Sequence, residues 1–323
     1  MMKAIRIEEF GGPEVMKIVE VERPVPAADE ILVKVYAASV NPADYIVRQG
    51  GNEGLKPLLK LPLGLGLDAA GIIEEVGSKV IEFKKGDRVY GVPNYLDGSY
   101  TQYLAAKSNQ FGLMPGTLNF NEAGSLPACA RMAYNGMVQK AKVQPGQRVL
   151  IHGAAGGIGN LALQFAKAYG AYVIGTASAH NAEFLKELGA DEVIDYNTQN
   201  FEEILRDIDV VFNATHTTTV DEALRLRSVK VLKEGGIFVC THGGWPSEEF
   251  KELLARKNAT VSMAGVDINH QQIFNEVAKL VDAGKVKAVI SKVYPWEQAA
   301  DAHRDIETKH ARGKIVLEIR QEK

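Results

Sequence analysis

Between residue 1 and about residue 123, apolar and polar side chains alternate with a period of two in six runs. These are Lys3 to Glu8, Lys17 to Val21, Ile31 to Ala37, Gly71 to Val76, Asp87 to Val92 and Tyr100 to Ala105. That spacing belongs to half-buried strands. Turn residues separate the runs at Gly11-Gly12-Pro13, Pro24 to Pro26, Gly77-Ser78, Gly86-Asp87 and Asp97-Gly98. An antiparallel, barrel-like first domain is therefore expected.

From about residue 124 short β-branched runs alternate with helical stretches. Strands are predicted at Arg148 to His152, Tyr172 to Thr176, Glu192 to Ile194, Val210 to Asn213, Ile237 to Thr241 and Thr260 to Val266. Helices are predicted at Gly159 to Tyr169, Ala182 to Leu188, Phe201 to Leu205, Val220 to Leu232 and Glu248 to Lys257. Six strands with intervening helices make an α/β, doubly wound parallel sheet. After about 267 a helix from Gln271 to Ala283 stops at Gly284, and strand-like runs Val289 to Val293 and Lys314 to Ile319 flank a helix from Trp296 to Thr308. A complete six-stranded sheet has no need of these tail strands, so they are expected to rejoin the first domain. The expected domains are 1–123 with 267–323, and 124–266.

Composition narrows the partners. The 37 Lys and Arg are outnumbered by 40 Asp and Glu, giving a net charge of −3 over 323 residues, so no basic surplus points to nucleic acid or an anionic membrane. No apolar run approaches the roughly 20 residues that span a bilayer, and the start MMKAIRIEEF lacks the apolar core of a signal peptide. A soluble, cytoplasmic protein is expected. Two cysteines, Cys129 and Cys240, are too few for a disulfide framework or a thiolate zinc knuckle, and are expected to be reduced, half-buried packing residues.

The stretch Gly153-Ala154-Ala155-Gly156-Gly157-Ile158-Gly159 lies between the buried strand ending at His152 and a helix with Leu161, Phe165 and Ala168 on its apolar face. It contains A-x-G-x-x-G, a variant of the dinucleotide loop. Gly156 lets the main chain approach a pyrophosphate, Gly159 lets the helix pack against the strand, and unpaired amides at the helix start face the phosphates. About 20 residues further on, a site selective for NAD carries an acid against the ribose 2′-hydroxyl, whereas this chain has Thr176-Ala177-Ser178-Ala179-His180-Asn181. Ser178, His180 and Asn181 can donate hydrogen bonds to a 2′-phosphate, which points to NADPH; a polar loop that tolerates either cofactor is the alternative. Asn213 and the Cys240-Thr241-His242-Gly243 run end strands where doubly wound sheets bind ligands, so Asn213 and His242 are further cofactor candidates. His152 is expected to satisfy a backbone group. Gly243-Gly244-Trp245-Pro246 reads equally as a mobile flap or a plain loop.

Six stretches together resemble the medium-chain dehydrogenase/reductase superfamily over nearly the whole chain, and within it the zinc-independent quinone oxidoreductase branch. They are AASVNPADY (37–45), GLDAAGIIEEVGSKV (66–80), GDRVYG (86–91), GAAGGIG (153–159), LGADEVIDY (188–196) and GKIVLEI (313–319). The resemblance implies a Rossmann domain joined to a GroES-like catalytic domain of antiparallel β-barrel type, a substrate cleft between domains and a homodimer. Metal-dependent members carry Cys-His where this chain has Asn41-Pro42, and Gly-His-Glu where it has Gly66-Leu67-Asp68. Without thiolate or imidazole at these spacings a tetrahedral zinc ion has no cage, and no metal is expected.

By the same resemblance Asn41 and Tyr45 line the nicotinamide pocket, Tyr196 contacts the 2′-phosphate and Lys314 reaches the nicotinamide end, with solvated surface as the alternative for Lys314. The family tyrosine often sits one position later, where this chain has Ile46. Asn41 through its amide and Tyr45 through its hydroxyl are candidates for donating to a developing oxyanion, the blander reading being a turn cap and a packed ring. Asp44 and Asp68 fall near the same pocket, and two solvated turn acids are expected there, with paired carboxylates sharing proton work as the alternative. The activity implied is an NADPH-dependent, zinc-free reduction of quinones or other α,β-unsaturated carbonyls, whose conjugation already supplies an electron sink. The alternatives are a 2-enoyl thioester reductase and a non-catalytic NADPH-binding sensor or structural protein.

Overall fold

The structure, a computed structural model, describes residues 1–94, 97–215, 221–242, 247–265 and 268–322. The chain divides into two compact units, one of residues 1–128, 269–282 and 288–323, the other of residues 129–268 and 283–287.

The first unit opens with β1 (Met2–Ile7), β2 (Lys17–Val21), β3 (Glu30–Val40), α1 (Pro42–Arg48), β4 (Leu63–Gly64) and β5 (Asp68–Val76). It continues with β6 (Arg88–Gly91), β7 (Tyr103–Lys107), β8 (Phe111–Leu113) and α2 (Phe120–Gly124). A three-stranded sheet runs β2-β1-β4. The alternation read from the sequence located the main strands, but β3 is longer than its period-two run. Its second half, paired antiparallel with β5 on one side and the C-terminal strand at Ile315 to Glu318 on the other, is buried on both faces, and small side chains at Ala37, Ala38 and Ser39 carry no alternation to read. Close packing needs that smallness: a Cβ on Gly124 of α2 would lie 3.0 Å from the Ala37 Cβ. Directly after β3, α1 was not expected. Its start signal is present in Asn41-Pro42-Ala43-Asp44, an N-cap, a proline in the first turn and an acid three residues on.

The second unit follows α3 (Pro127–Tyr134), whose first residues belong to the first unit, and a π-helical turn over Asn135–Lys140. It comprises β9 (Arg148–His152), α4 (Gly157–Ala168), β10 (Tyr172–Ala177), α5 (Ala182–Glu187), β11 (Glu192–Asp195), α6 (Phe201–Ile204) and β12 (Ile208–Asn213). Then come α7 (Glu222–Val231), β13 (Leu232–Cys240), α8 (Glu248–Arg256) and β14 (Thr260–Met263). All six strands are parallel in the order β11-β10-β9-β12-β13-β14, the doubly wound arrangement with its switch between β9 and β12. One apolar core joins Leu150, Ile174, Val211, Phe238 and Phe250 across this sheet and its helices.

The chain then returns to the first unit through α9 (His270–Asp282), β15 (Ile290–Pro295), α10 (Ala299–Glu307) and β16 (Lys314–Glu318). β16 pairs antiparallel with β3 and parallel with β15, so the tail strands do complete the seven-stranded sheet β15-β16-β3-β5-β6-β8, with β7 beside β3. The core of this unit gathers Ile31, Val33 and Val35 of β3 with Trp296, Ala302, Ile315 and Leu317 of the tail. Among the described residues no helix is long and apolar enough to cross a membrane. The candidate flap at 243–246 lies outside the described residues, as do the ends proposed for two elements at Val220 and Val266.

Candidate functional site

In the second unit the loop from β9 into α4 is shaped by its glycines. Gly153 has φ +69°, a conformation that L side chains rarely adopt. A Cβ on Gly159 would lie 2.1 Å from the Gly153 carbonyl oxygen, so only glycine lets α4 start this close to its strand. Gly156 differs: it is exposed, and a Cβ there would meet only the Gly153 oxygen, at 3.4 Å. It is the N-cap of α4 and has no side chain to accept from the first-turn amides, which stay available to an anion. Ala154 is buried, and its N–H donates to the Thr176 carbonyl at 3.3 Å, tying the loop to β10.

The other candidates of this unit lie at the same, carboxyl, end of the parallel strands. Asn213 ends β12 and accepts through Oδ1 from the N–H and hydroxyl of Thr215, at 3.0 and 2.7 Å. His242 follows β13, with Nδ1 2.7 Å from the Thr241 hydroxyl and its carbonyl accepting from Arg225. Ser178, just past β10, is 3.1 Å from His180 Nδ1 and accepts from Asn181 Nδ2 at 3.2 Å. Tyr196 is exposed, and its N–H reaches the Ala177 carbonyl at 3.4 Å. An acid missing from the sequence around Ser178 arrives from the neighbouring strand: Asp195 is the register partner of Ala177. Hydrogen bonds from Asn197 hold its carboxyl below the usual range, with further donation from Thr198 and the Ala179 N–H. Period-two reading of one strand cannot find this contact, because register between strands is a property of the folded sheet.

His152 needs correction. Its ring is buried, with Nδ1 3.0 Å from the Thr176 hydroxyl and Nε2 3.0 Å from the Ser228 hydroxyl, so side chains rather than a backbone group satisfy it. Burial, with Arg227 nearby, lowers its pKa to about 3; it is a neutral packing group.

In the first unit the sequence candidates converge on the end of β3. Asn41 Nδ2 donates to the Ser39 carbonyl at 3.2 Å and to Asp68 Oδ2 at 2.8 Å, and its Oδ1 accepts from Lys314 Nζ at 2.5 Å. Both Nδ2 hydrogens are thus engaged, which leaves the amide none for an incoming oxyanion. Lys314 is buried, not on a solvated surface. Besides Asn41, its ammonium lies 3.3 Å from the Val40 carbonyl and 3.5 Å from Asp68 Oδ2. Asp68 also accepts from the Ser39 hydroxyl and, at 2.5 Å, from the Ala128 N–H.

The expectation of two solvated turn acids fails, since Asp44 and Asp68 are both fully enclosed. Asp44 Oδ2 accepts from the Asn41 N–H at 2.8 Å and from the Tyr100 hydroxyl at 2.9 Å. Tyr45, on the same helix, is mostly buried, and burial followed by the charge of Glu307 raises its pKa. Sequence reasoning missed Tyr100, His303 and Arg48, which extend from Asp44 as one hydrogen-bonded chain. Their sequence separations exceed 50 residues in all three contacts, with no motif to join them. Among the described residues no three His, Cys, Asp or Glu side chains gather as a metal site. Cys129 and Cys240 are not in disulfides, and both are buried rather than half-buried.

A doubly wound sheet with a glycine-shaped helix entry, covalently continuous with a GroES-like β unit holding a buried polar cluster, defines a medium-chain dehydrogenase/reductase. Residues 27–142 match the alcohol dehydrogenase GroES-like domain, and residues 188–317 match the zinc-binding dehydrogenase family. Quinone oxidoreductase of Sus scrofa is 35% identical, with 98% of each chain covered. The chloroplastic NADPH-dependent alkenal/one oxidoreductase of Arabidopsis thaliana is 33% identical over 98% of this chain and 79% of its own. The structure of Escherichia coli quinone oxidoreductase complexed with NADPH superimposes with a TM-score of 0.82 at 28% identity, covering 98% of each chain. The chain belongs to the quinone oxidoreductase branch of the medium-chain dehydrogenase/reductase superfamily and is an oxidoreductase.

Proposed function

We propose that this enzyme reduces quinones or other α,β-unsaturated carbonyls with NADPH and without a metal. The observation that carries the reading is the helix entry at Gly156 to Gly159, where an exposed N-terminus without a side-chain cap starts so close to its strand that Gly159 has no room for a Cβ. A dinucleotide pyrophosphate fits this entry, and the bound nicotinamide would supply the hydride. The loop residues Ala154, Ala155, Gly156, Gly157, Ile158 and Gly159 bind the phosphates through main-chain amides. Asn213 and His242 complete the cofactor side, and Ser178, His180 and Tyr196 receive the 2′-phosphate. The alkenal/one reductase and the E. coli complex, both associated by name with NADPH, support that choice of nucleotide.

Tyr45 is the proposed donor to the carbonyl oxygen as charge develops, its proton retained by burial. Asn41 works by orientation: it gives its hydrogens to Ser39 and Asp68 and turns its carbonyl oxygen to the Lys314 ammonium. Lys314 adds a fixed positive charge beside Asn41 that favours the reduced, anionic oxygen. The same reading takes the enzyme as a cytoplasmic homodimer with residues 124–266 as the nucleotide domain, which sedimentation and limited proteolysis can check.

The test is a fluorescence titration with NADPH and NADH, followed by turnover with a naphthoquinone, a short alkenal and an enoyl-CoA. NADPH-dependent turnover of the first two is expected. Activity confined to the thioester rejects the substrate class, and no turnover with any of them leaves only nucleotide binding. His180→Ala is expected to weaken NADPH binding by about 10-fold or more, the worth of roughly one hydrogen bond to a charged group, with NADH affinity unchanged. Equal losses for the two nucleotides would remove His180 from the 2′-phosphate.

A further inference from the structure

We infer that Arg48, His303 and Tyr100 are positioning residues that aim every hydrogen bond of one buried chain at Asp44 and thereby hold the Asn41 end of α1 in its reacting geometry. The inference rests on the hydride-transfer reading only for the word reacting.

The direction of the chain follows from what each group can do. Arg48 is fully buried, and a guanidinium has donors and no acceptor. It is fixed by Glu307 Oε1 at 2.9 Å and by the Gly11 carbonyl at 3.1 Å. Its Nη1 lies 2.9 Å from His303 Nδ1, so Nδ1 must accept and the ring proton must sit on Nε2. Nε2 is 3.3 Å from the Tyr100 oxygen and donates to it, which frees the Tyr100 hydrogen to point at Asp44 Oδ2, 2.9 Å away. Burial, then the Arg48 charge, lowers the His303 pKa to about 3, so the imidazole stays neutral and the direction cannot reverse near neutral pH.

At the end of the chain, Asp44 Oδ2 takes two donors while Oδ1 is buried with no hydrogen-bond partner among the described residues. A bare anionic oxygen in that place is costly, and a proton on Oδ1 removes the cost. Facing this carboxyl are Tyr100 from the segment before β7, Lys314 from β16 and Asp68 from β5. Behind Tyr100 stand His303 of α10 and Arg48 of α1. Burial raises Asp44 from 3.8 to about 7, and Asp68 adds to the rise, against the lowering pull of the Asn41 N–H, the Tyr100 hydroxyl and Lys314. The folded value lies above the unfolded one, so the folded chain holds the extra proton between them. Stability contributed by Asp44 is therefore present below 3.8 and is lost as pH rises through about 7.

The experiment follows the Asp44 carboxyl carbon by NMR in the nucleotide-free protein labelled with 13C-aspartate, assigned with Asp44→Asn, alongside pH profiles of kcat with NADPH and a naphthoquinone. A wild-type midpoint near neutrality is expected, with kcat falling above it. Tyr100→Phe removes a donor that favours the ionised form, so the midpoint should rise by about one unit and the falling limb of kcat should move with it. His303→Leu removes only the outer donor and leaves the Tyr100 hydroxyl on Asp44, so it should shift both midpoints in the same direction by less, whereas His303→Gln can accept from Arg48 and donate to Tyr100 and should keep them near wild type. A wild-type midpoint near that of an ordinary aspartate overturns the inference, and so does a limb that stays in place while the carboxyl midpoint moves. If Asp44 titrates and shifts as expected but no protein turns over any acceptor, the chain stands and the hydride-transfer reading falls.

Discussion

Gly156→Asp is expected to lower dinucleotide affinity by about a hundredfold or more, roughly 3 kcal/mol, while leaving the apoprotein as stable as before or slightly more so. The two effects have opposite signs for one reason. Gly156 is the N-cap of α4 and a Cβ fits there, so an aspartate can accept from the first-turn amides as a good cap does. That gains a few tenths of a kcal/mol over glycine. The same carboxylate occupies the amides the pyrophosphate needs and repels its charge. Isothermal calorimetry with NADPH and thermal unfolding of the same sample would show the pair of effects. Unchanged affinity would remove the phosphate from this loop. Gly159→Ala separates the two roles, because its Cβ would meet the Gly153 carbonyl oxygen at 2.1 Å and must destabilise the fold first.

The second large effect is expected at Asp68. Asp68→Leu removes the acceptor shared by Ser39, Asn41, Ala128 and Lys314 and leaves a buried ammonium with less compensation. Breaking a buried charge pair in this way costs about 3–5 kcal/mol. Adding Lys314→Met should recover a substantial part of that loss, since it removes the charge left behind. Chemical denaturation of the two single variants and the double variant gives the coupling directly. Strictly additive losses would show that Asp68 and Lys314 act independently.

The parallel sheet was legible because each βα unit carries its own local signal, and the loop at Gly153 to Gly159 sits where strand and helix periodicities meet. In the β unit, β3 was readable only over its alternating half. Beyond Ala37 burial on both faces replaces alternation, and the helix that follows was hidden although Asn41, Pro42 and Asp44 announce its start. For the site, the family resemblance picked out Asn41, Asp68 and Lys314, which do meet. It could not supply their burial, so two enclosed acids were expected in solvent and one enclosed lysine was weighed against a solvated surface. Nor could it join Tyr100 to His303 or Asp195 to the turn after β10, because those contacts are created by packing and by strand register.

β16 lies beside β3, yet its residues come 274 positions later for the Lys314 and Val40 pair. During translation, the six strands from Arg148 to Met263 leave the ribosome well before residue 314. The nucleotide-type unit can therefore complete its own sheet while the β unit still waits for a strand and for its buried cation. Until then Asn41 and Asp68 have no ammonium to enclose. Until that strand arrives the chain is thus exposed to an aggregation-prone open edge, along the half of β3 that leads to Asn41.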